Sequence, residues 1–208
     1  MAVILRVNPA QLWRGGIERA AAVIRRGDVV AIPTDTVYGL AVNPFQPAAV
    51  ARLRRLKQRP EDKPILLLVE SRRQAESLTA RLPEAFERIV RRFWPGPLTL
   101  ILPAAAYLPE TITSGTGTIA VRQPGSILTR ELIRAARVPL TGTSANISGH
   151  PAAESAAQVK RQFPKGLALI LDAGPARNRI PSTIVDLTSE PRVVREGAIP
   201  AEAVLCLC

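Results

Sequence analysis

Residues 33–40 carry two threonines and an aspartate, Thr34, Asp35 and Thr36, directly after the apolar run of residues 29–32. Polar groups at the carboxyl end of a buried strand lie where open α/β sheets usually bind their ligands. A simple turn explains the proline and the glycine of this segment. It does not explain three successive hydroxyl or carboxylate side chains, so a binding role and a structural role are equally open from this segment alone.

Three cations, Lys57, Arg59 and Lys63, lie at or just after the end of a helical pattern over residues 47–57. In one interpretation, they complement the negative end of the helix dipole. Pro60, however, forces the chain out of the helix just after Arg59, which leaves long cationic side chains beside a turn. Because arginine binds phosphate oxygens in a bidentate manner and lysine adds a point charge, the second interpretation is a phosphate site.

A third polar segment, residues 143–149, includes Ser144 and Asn146 and again follows an apolar strand pattern. Serine and asparagine in loops usually bond to nearby backbone groups, so a structural turn is the first interpretation. The pattern predicts that residues 33–38 and 143–146 both leave the carboxyl ends of parallel strands. We therefore expect the two segments to face one crevice, which favours a shared site.

Three further polar residues lie at the ends of predicted strands: Arg122, Ser182 and Arg195. An arginine at a strand end is more often exposed than functional. Arg122, which follows the apolar residues 119–121, is the best placed of the three to hold a carboxylate.

The sequence excludes or disfavours several kinds of chemistry. It has no G-x-x-x-x-G-K-[ST] phosphate loop, and residues 115–120 match a dinucleotide fingerprint by letters but precede a strand instead of following one. Catalysis by a Ser-His-Asp or Cys-His centre would depend wholly on His150, the single histidine. Potential ligands show no metal-site spacing, and Cys206 and Cys208 are expected to be free thiols. We predict no metal-binding residue, and any Mg²⁺ would arrive on substrate phosphates.

The composition, with 208 residues and 47% hydrophobic content, suits one well-buried domain. A formal net charge of +11 favours anionic partners, whether nucleotide, RNA or both. Most of the basic residues are arginines, however, and a genome-wide codon bias would also produce this charge. No apolar stretch approaches the ~20 residues of a membrane span, and residues 1–6 lack the features of a signal peptide. We therefore expect a cytoplasmic protein.

Short apolar runs alternate with helical patterns, which predicts an α/β domain. Helices are predicted over residues 17–24, 47–57, 86–93, 126–136 and 154–162. Strands are predicted over residues 29–32, 65–69, 98–102, 119–121, 138–140, 168–171, 183–187 and 192–194. Residues 103–117, rich in proline and glycine, are predicted to form a loop.

Motifs from these segments together resemble the YrdC-type threonylcarbamoyl-AMP synthases. The motifs are Pro-Thr-Asp-Thr-Val-Tyr-Gly-Leu at 33–40, Lys57-x-Arg59, Trp-Pro-Gly-Pro-Leu-Thr at 94–99, Ala-Val-Arg at 120–122, Ser144-x-Asn146 and Pro-Ser-Thr at 181–183. The resemblance covers a domain of residues 8–200, which is followed by a C-terminal tail, residues 201–208. It implies a single α/β domain with a twisted mixed β-sheet flanked by helices and with a basic concave cavity.

The resemblance also implies a nucleotidyltransferase reaction. ATP, L-threonine and bicarbonate would give pyrophosphate and L-threonylcarbamoyl-adenylate, which partner proteins would receive for the t6A modification at position 37 of tRNA. Catalytic roles are implied for Lys57 and Arg59. ATP would be bound by Lys57, Arg59, Lys63, Thr118, Ser144, Asn146 and Arg195. L-Threonine would be bound by Thr34, Thr36, Arg122 and Ser182.

This reaction needs neither a histidine nor a side-chain nucleophile. The threonine amine and bicarbonate form an N-carboxy intermediate, whose carboxylate attacks the α-phosphate of ATP. Catalysis then depends on holding anions together and on cations that stabilise the leaving pyrophosphate. Asp35 is a candidate proton acceptor for the amine.

Two residues depart from the family pattern, and two alternative functions are open. Many members have asparagine in place of Lys63, and some have histidine in place of Leu68, so a threonine contact at Leu68 does not carry over. The end of the chain soon after residue 200 resembles the single-domain form of the family. The alternatives are a carbamoyl-adenylate-handling domain of hydrogenase maturation, which occurs beside acylphosphatase and zinc modules, and a double-stranded RNA-binding module that uses the basic cavity.

Overall fold

The computed structural model of the chain describes residues 2–7, 13–176, 178 and 180–208. The helices in these ranges are α1 (Trp13–Arg25), α2 (Pro47–Lys57), α3 (Arg72–Ser77), α4 (Phe86–Phe93), α5 (Glu110–Thr113), α6 (Ile127–Ala136), α7 (Ala156–Gln162) and α8 (Ala201–Leu205). None of the helices in the described ranges has the length and apolarity required to cross a bilayer.

The strands in the same ranges form two mixed sheets. They are β1 (Val3–Arg6), β2 (Val30–Ile32), β3 (Gly39–Ala41), β4 (Leu67–Leu68), β5 (Leu98–Pro103), β6 (Thr118–Arg122), β7 (Leu140–Thr141), β8 (Thr143–Ser144), β9 (Leu169–Asp172), β10 (Thr183–Asp186) and β11 (Arg192–Arg195). One sheet has the order β1-β9-β2-β3-β8 and the other β11-β10-β5-β6-β4-β7. The predicted mixed α/β fold is confirmed, with the strands divided over two sheets.

Strand β2 lies in the interior of the protein and is covered on both faces. Val30 and Ile32 pack in the apolar cluster that contains helices α1 and α6, whereas Ala31 belongs to the larger cluster on the opposite side. A strand that is buried on both faces is apolar at every position. This explains why residues 29–32 show a continuous apolar run without alternation.

Helix α2 ends where the candidate phosphate site begins. Pro47 occupies its first turn, and Gln58 caps its end in the left-handed conformation with φ 52°. Pro60 follows Gln58 by two residues, a position after a C-cap where proline is common. The predicted helix is confirmed, and its end places Arg59 in the loop that follows.

Two predicted segments differ from the structure. Residues 103–117, predicted as a loop, contain the four-residue helix α5, which is too short to show a helical apolar period. The strand predicted over 65–69 is paired only at Leu67–Leu68, since the N–H of Ile65 bonds to the carbonyl of Ile112 at 2.9 Å. The sequence pattern also does not predict the short elements β1, β3, β8, α3 and α8.

The C-terminal residues 201–208 pack against the domain instead of extending from it. Val204 of α8 is fully buried, and the carbonyl of Leu207 accepts a hydrogen bond from Nε of Arg88 at 2.9 Å. Cys206 and Cys208 are free and exposed.

Candidate active site

A cavity of about 510 Å³ lies on one face of the six-stranded sheet, a volume typical of small-molecule sites. Most of the predicted site residues line it: Thr34, Thr36, Arg59, Lys63, Arg122, Ser144, Ser182 and Arg195. Three predicted residues are not part of the lining: Lys57, Thr118 and Asn146. A larger groove of about 1080 Å³ between α1 and α6 contains none of the predicted residues.

The two segments 33–38 and 143–146 meet, but not for the predicted reason. Strand β2 pairs antiparallel with β3, and β3 pairs antiparallel with β8, so that Gly39 lies opposite Ser144. The strands that precede the two segments, β2 and β7, lie in different sheets, and β7 pairs antiparallel with β4, so the prediction that both segments leave parallel strands is wrong. They face one cavity because a hairpin returns residues 33–38 alongside β8.

Arg122 is the most deeply buried cation of the cavity, with 4% of its surface exposed. Its Nε donates to the carbonyl of Gly96 at 2.9 Å, and its Nη1 donates to Oγ1 of Thr36 at 3.0 Å. Nη2 lies 2.6 Å from Oδ1 of Asp35 as an ion pair, yet neither atom has an aligned hydrogen bond. Burial lowers the pKa of Arg122, and the charge of Asp35 opposes this shift.

The hydroxyls of Thr34 and Thr36 form a chain of hydrogen bonds in which the donor and the acceptor of each bond are determined. Oγ1 of Thr34 donates its single proton to the carbonyl of Val37 at 2.7 Å. The 3.0 Å bond between the two threonine hydroxyls must therefore be donated by Thr36. Oγ1 of Thr36 accepts from Arg122 at the same time, so this hydroxyl is oriented by the arginine.

Asp35 does not line the cavity. Its side chain is 17% exposed and lies against the guanidinium of Arg122, and its Oδ2 lies so near Gly125 that a Cβ there would be 3.0 Å away. This position suits a group that orients Arg122 better than one that reaches a substrate amine.

Lys57 lies behind the wall of the cavity and holds the 144–146 segment. Its Nζ is 2.6 Å from the carbonyl of Ser144 and 2.9 Å from both the carbonyl and Oδ1 of Asn146. The residue is 3% exposed. Burial, and secondarily the charge of Arg59, lowers the pKa of Lys57 to about 8.

The side chain of Asn146 is saturated by neighbours. Its Oδ1 accepts from Oγ of Ser144 at 2.5 Å as well as from Lys57. Its Nδ2 donates to the carbonyls of Ile147 at 2.9 Å and His150 at 2.6 Å. Asn146 thus shapes the bend, whereas Ser144 lines the cavity.

Arg59 reaches the cavity with an unused donor. Its Nη2 donates to the carbonyl of Pro64 at 2.6 Å, but its Nε is buried without a hydrogen-bond partner. A buried N–H without an acceptor costs about 1–3 kcal/mol. Burial lowers the pKa of Arg59, and the charge of Arg54 acts in the same direction. An anion in the cavity would accept a hydrogen bond from this Nε and would also offset the cost of burying the positive charge of Arg59 near Arg54.

A β-bulge turns Arg195 toward the cavity. Asp186 and Val185 of β10 pair with Arg192 and Val193 of β11, but Ile184 pairs with Arg195, so Val194 is the extra residue. The bulge puts Arg195 on the same face as Ile184, where regular alternation would have turned it away. Both residues line the cavity.

Arg195 is anchored to Ser182 beneath it. Its Nη2 donates to the carbonyl of Ser182 at 2.7 Å, and the hydroxyl of Ser182 lies 2.9 Å from that of Thr99. Burial lowers the pKa of Arg195, with a further contribution from the charge of Arg122. Two cations that repel each other across one cavity favour an anion between them.

Thr118 lies at the outer end of the same sheet face. Alternate residues of a strand share a face, so Thr118 is aligned with Ala120 and Arg122, both of which line the cavity. Its Oγ1 is 2.9 Å from Oγ1 of Thr116.

Leu68 and Gly142 form an apolar part of the cavity wall through close contact. A Cβ on Gly142 would lie 2.6 Å from Cγ of Leu68, whose side chain is almost fully buried. Glycine is therefore required here for space, and Leu68 offers no polar group to a ligand.

Sequence reasoning missed one buried residue that shapes the site, Arg54. Its guanidinium lies under the loop that carries Arg59 and Lys63, with 8% of the residue exposed. The available signal was its position on the apolar face of α2, beside Val50 and Leu53. An arginine on a buried helix face requires partners, whereas sequence composition favoured a solvated residue.

The cavity carries an excess of positive charge. Within the described ranges, no carboxylate forms an ion pair with Lys57, Arg59 or Arg195, while Arg122 pairs with Asp35. No group of three or more acidic, histidine or cysteine residues in these ranges could hold a metal ion. The arrangement can therefore bind anions through arginine, lysine and hydroxyl groups.

Comparison with known proteins gives the family. The model Sua5_yciO_yrdC, described as telomere recombination, matches residues 22–197. The chain belongs to this family. Within the Sua5/YciO/YrdC family, it is 41% identical to the threonylcarbamoyl-AMP synthase of Pyrococcus abyssi, over 98% of this chain and 60% of that protein. It is 39% identical to a putative threonylcarbamoyl-AMP synthase of Mycobacterium tuberculosis, over 95% of this chain and 90% of the relative.

Solved structures of the family have the same fold. The crystal structure of P. abyssi Sua5 complexed with L-threonine matches with a TM-score of 0.94 and 39% identity, over 99% of this chain and 61% of that chain. The crystal structure of Escherichia coli YciO matches with a TM-score of 0.88 and 26% identity, over 99% and 100% of the two chains. The chain thus spans less than two thirds of the Sua5 protein from P. abyssi.

Proposed function

We propose that this chain is an L-threonylcarbamoyladenylate synthase, a nucleotidyltransferase that converts ATP, L-threonine and bicarbonate into threonylcarbamoyl-AMP and pyrophosphate. The observation that carries the proposal is that Arg59 and Arg122 line one cavity, Arg59 with a buried Nε that has no hydrogen-bond partner and Arg122 with an Nη2 whose ion pair to Asp35 is not aligned as a hydrogen bond. A site for a polyphosphate and a carboxylate requires two such separate cationic groups. The family relatives named threonylcarbamoyl-AMP synthase support the same reaction.

L-Threonine is assigned to the Arg122 side of the cavity. The guanidinium would hold the substrate carboxylate, because Arg122 is the most deeply buried cation of the cavity lining. Thr36 and Ser182, both nearly buried hydroxyls, would bond to the substrate's polar groups, with Thr34 behind Thr36.

The nucleotide is assigned to the Arg59 side. Arg59, Lys63 and Arg195 would bind phosphate oxygens, and Ser144 would contact the nucleotide from the opposite wall. Lys57 and Asn146 act from behind by holding the 144–146 bend, and Lys57 adds its charge through the wall. Thr118 would contact the nucleotide at the outer end of the sheet face. Mg²⁺ is treated as part of the substrate, bound to the ATP phosphates.

The chemistry proceeds without a protein nucleophile. The threonine amine attacks bicarbonate, water leaves, and the resulting N-carboxylate attacks the α-phosphorus while the bond to pyrophosphate breaks. Positioning of the anions supplies up to roughly 7–11 kcal/mol in favourable cases. Cations near the leaving pyrophosphate lower the barrier further, and Arg59 is the first candidate for this role, assisted by Lys57.

The adenylate is proposed to serve t6A formation at position 37 of tRNA, through partner proteins that receive it in the cytoplasm. The decisive experiment is release of pyrophosphate from ATP by the purified chain, with each of threonine and bicarbonate omitted in turn. We expect release only with both, and a product of the mass of threonylcarbamoyl-AMP. Pyrophosphate release that is independent of threonine would contradict the proposal.

A double-stranded RNA-binding role is the second candidate, favoured by the net charge of +11. Binding through phosphates alone would weaken steeply with salt and would not respond to threonine. The same purified protein can be titrated with duplex RNA at two salt concentrations, with and without threonine, to separate the two functions.

A further inference from the structure

Arg54 makes contacts that tie two segments of the protein together. Its Nη1 donates to the carbonyl of Pro60 at 2.6 Å. Its Nη2 lies 3.2 Å from the carbonyl of Lys63, 2.9 Å from that of Thr111 and 3.2 Å from Oγ of Ser114. One buried guanidinium therefore joins the loop after α2 to helix α5 and its cap.

Ser114 completes this connection from the other side. Its hydroxyl donates to the carbonyl of Glu61 at 2.7 Å while it accepts from Arg54. Carbonyl groups of residues 60, 61 and 63 are thus held by two side chains outside the loop. Residues 60–63 are exposed, so without these donors their carbonyls could turn to water, and the loop conformation therefore depends on Arg54 and Ser114.

The loop that Arg54 holds is the one that presents cations to the cavity. Arg59 and Lys63 both line the cavity, and the N–H of Arg59 bonds to the carbonyl of Arg54 itself at 2.9 Å. Arg54 lines a second hollow on the other side of the loop, and Arg59, Glu61 and Asp62 line this hollow as well. Burial lowers the pKa of Arg59, and the like charge of Arg54 lowers it further.

We propose that Arg54 is a positioning residue for nucleotide binding, which acts by fixing the 60–63 loop so that Arg59 and Lys63 face the cavity. Arg54 itself does not line the cavity. The proposal rests on the proposed function, since the nucleotide site is assigned there.

The test compares Arg54→Gln with Arg55→Gln, its neighbour on α2, which is exposed. We expect Arg54→Gln to raise the KM for ATP by about tenfold and to leave the KM for threonine within about twofold. Arg54→Lys keeps the charge but cannot span the same acceptors, so it should restore little of the loss. Arg55→Gln should leave both constants unchanged.

A double-mutant cycle separates positioning from a general structural role. Because Arg54→Gln would still misplace Lys63, adding it to Arg59→Gln should raise the KM for ATP, but by less than the rise of about tenfold that it causes alone. Fully additive losses would overturn the proposal, as would an unchanged KM for ATP in a folded Arg54→Gln protein. Hydrogen exchange of residues 58–64 should be faster in Arg54→Gln than in Arg55→Gln, and equal rates would also overturn it.

Ser114→Ala provides a milder variant if Arg54→Gln does not fold. It removes one acceptor of Arg54 and the donor to Glu61, and it should raise the KM for ATP by about threefold with faster exchange in the same loop. No change in either measurement would overturn the proposal. Absence of turnover in the wild-type chain would contradict the proposed function instead, and loop exchange together with ATP titration by calorimetry would still test Arg54.

Discussion

Nη1 of Arg122 donates to Oγ1 of Thr36 at 3.0 Å, across the boundary between the two sheets. Because the hydroxyl of Thr36 must donate its proton to Thr34, its oxygen presents a lone pair to Arg122. The β2–β3 hairpin and strand β6 are thereby joined at the centre of the proposed threonine site.

Replacement of Thr36 tests this relationship. Thr36→Val removes the acceptor of a buried guanidinium N–H, so we expect the KM for L-threonine to rise about tenfold, with a much smaller change in the KM for ATP. Thr36→Ser keeps the hydroxyl and serves as the control. Steady-state kinetics in both substrates measures the difference, and equal effects of the two variants would contradict the assignment.

Asp35→Asn separates orientation of Arg122 from proton transfer. If the carboxylate orients Arg122, the variant should raise the KM for threonine, while kcat at saturating threonine stays within about threefold. If Asp35 is the proton acceptor for the amine, kcat should instead fall by about 10²-fold or more. The position of Asp35 outside the cavity lining leads us to expect the first result.

Arg59→Lys tests the unpaired Nε. The variant retains a positive charge but loses the planar fork, so we expect kcat to fall by about 10²-fold. Stability should fall by about 0.5–1.5 kcal/mol, because the bond from Nη2 to the carbonyl of Pro64 is lost, whereas the deleted Nε has no hydrogen-bond partner to lose. Arg55→Lys on the exposed side of α2 is the matched control, and thermal unfolding of both variants accompanies the kinetics. Near-normal kcat in Arg59→Lys would show that charge alone suffices.

The pKa of Lys57, lowered to about 8 from 10.5, predicts opposite effects of pH on stability and on binding. Between these values the unfolded chain binds more protons than the folded chain, so the contribution of Lys57 to the free energy of unfolding rises with pH. Below pH 8 both states are protonated and this contribution is constant. Loss of the ammonium charge should weaken ATP binding as pH rises through 8.

Lys57→Met provides the control for this pH dependence. The variant should be destabilised, because the carbonyls of Ser144 and Asn146 lose their donor, and its ATP affinity should no longer change near pH 8. Calorimetric titrations between pH 7 and 9.5 measure the effect. An identical pH profile in the variant would assign the change to another group.

Gly142→Ala tests the contact with Leu68. A Cβ placed 2.6 Å from Cγ of Leu68 forces the cavity wall to shift, so we expect a loss of about 1–3 kcal/mol in the free energy of unfolding. The double variant Leu68→Ala/Gly142→Ala relieves the clash and should be less destabilised than the sum of the single changes. Urea unfolding measures all three proteins, and simple additivity would contradict the contact.

The sequence predicted a helix or strand most reliably where the apolar spacing and the residues that start or end the element lie in or next to that element. Helix α4 (Phe86–Phe93) has buried residues at the predicted apolar positions Phe86, Ile89 and Val90, and α2 has Pro47 at the start of the predicted segment and its C-cap, Gln58, directly after it. The short strands β3 and β8 have only a few residues each, so pairing and not composition defines them.

Sequence alone determined the family motifs, the α/β class and most of the polar and charged residues that line the cavity, because residue types and their spacing are local properties. Tertiary structure decided how these residues meet: antiparallel pairing brings Gly39 opposite Ser144, and a bulge aims Arg195 into the cavity. It also decided that Lys57 faces Ser144 and Asn146 from behind the wall, and that Arg54 is buried beneath the loop. These contacts join residues far apart in the chain, and their geometry depends on strand register and burial, which no local pattern encodes.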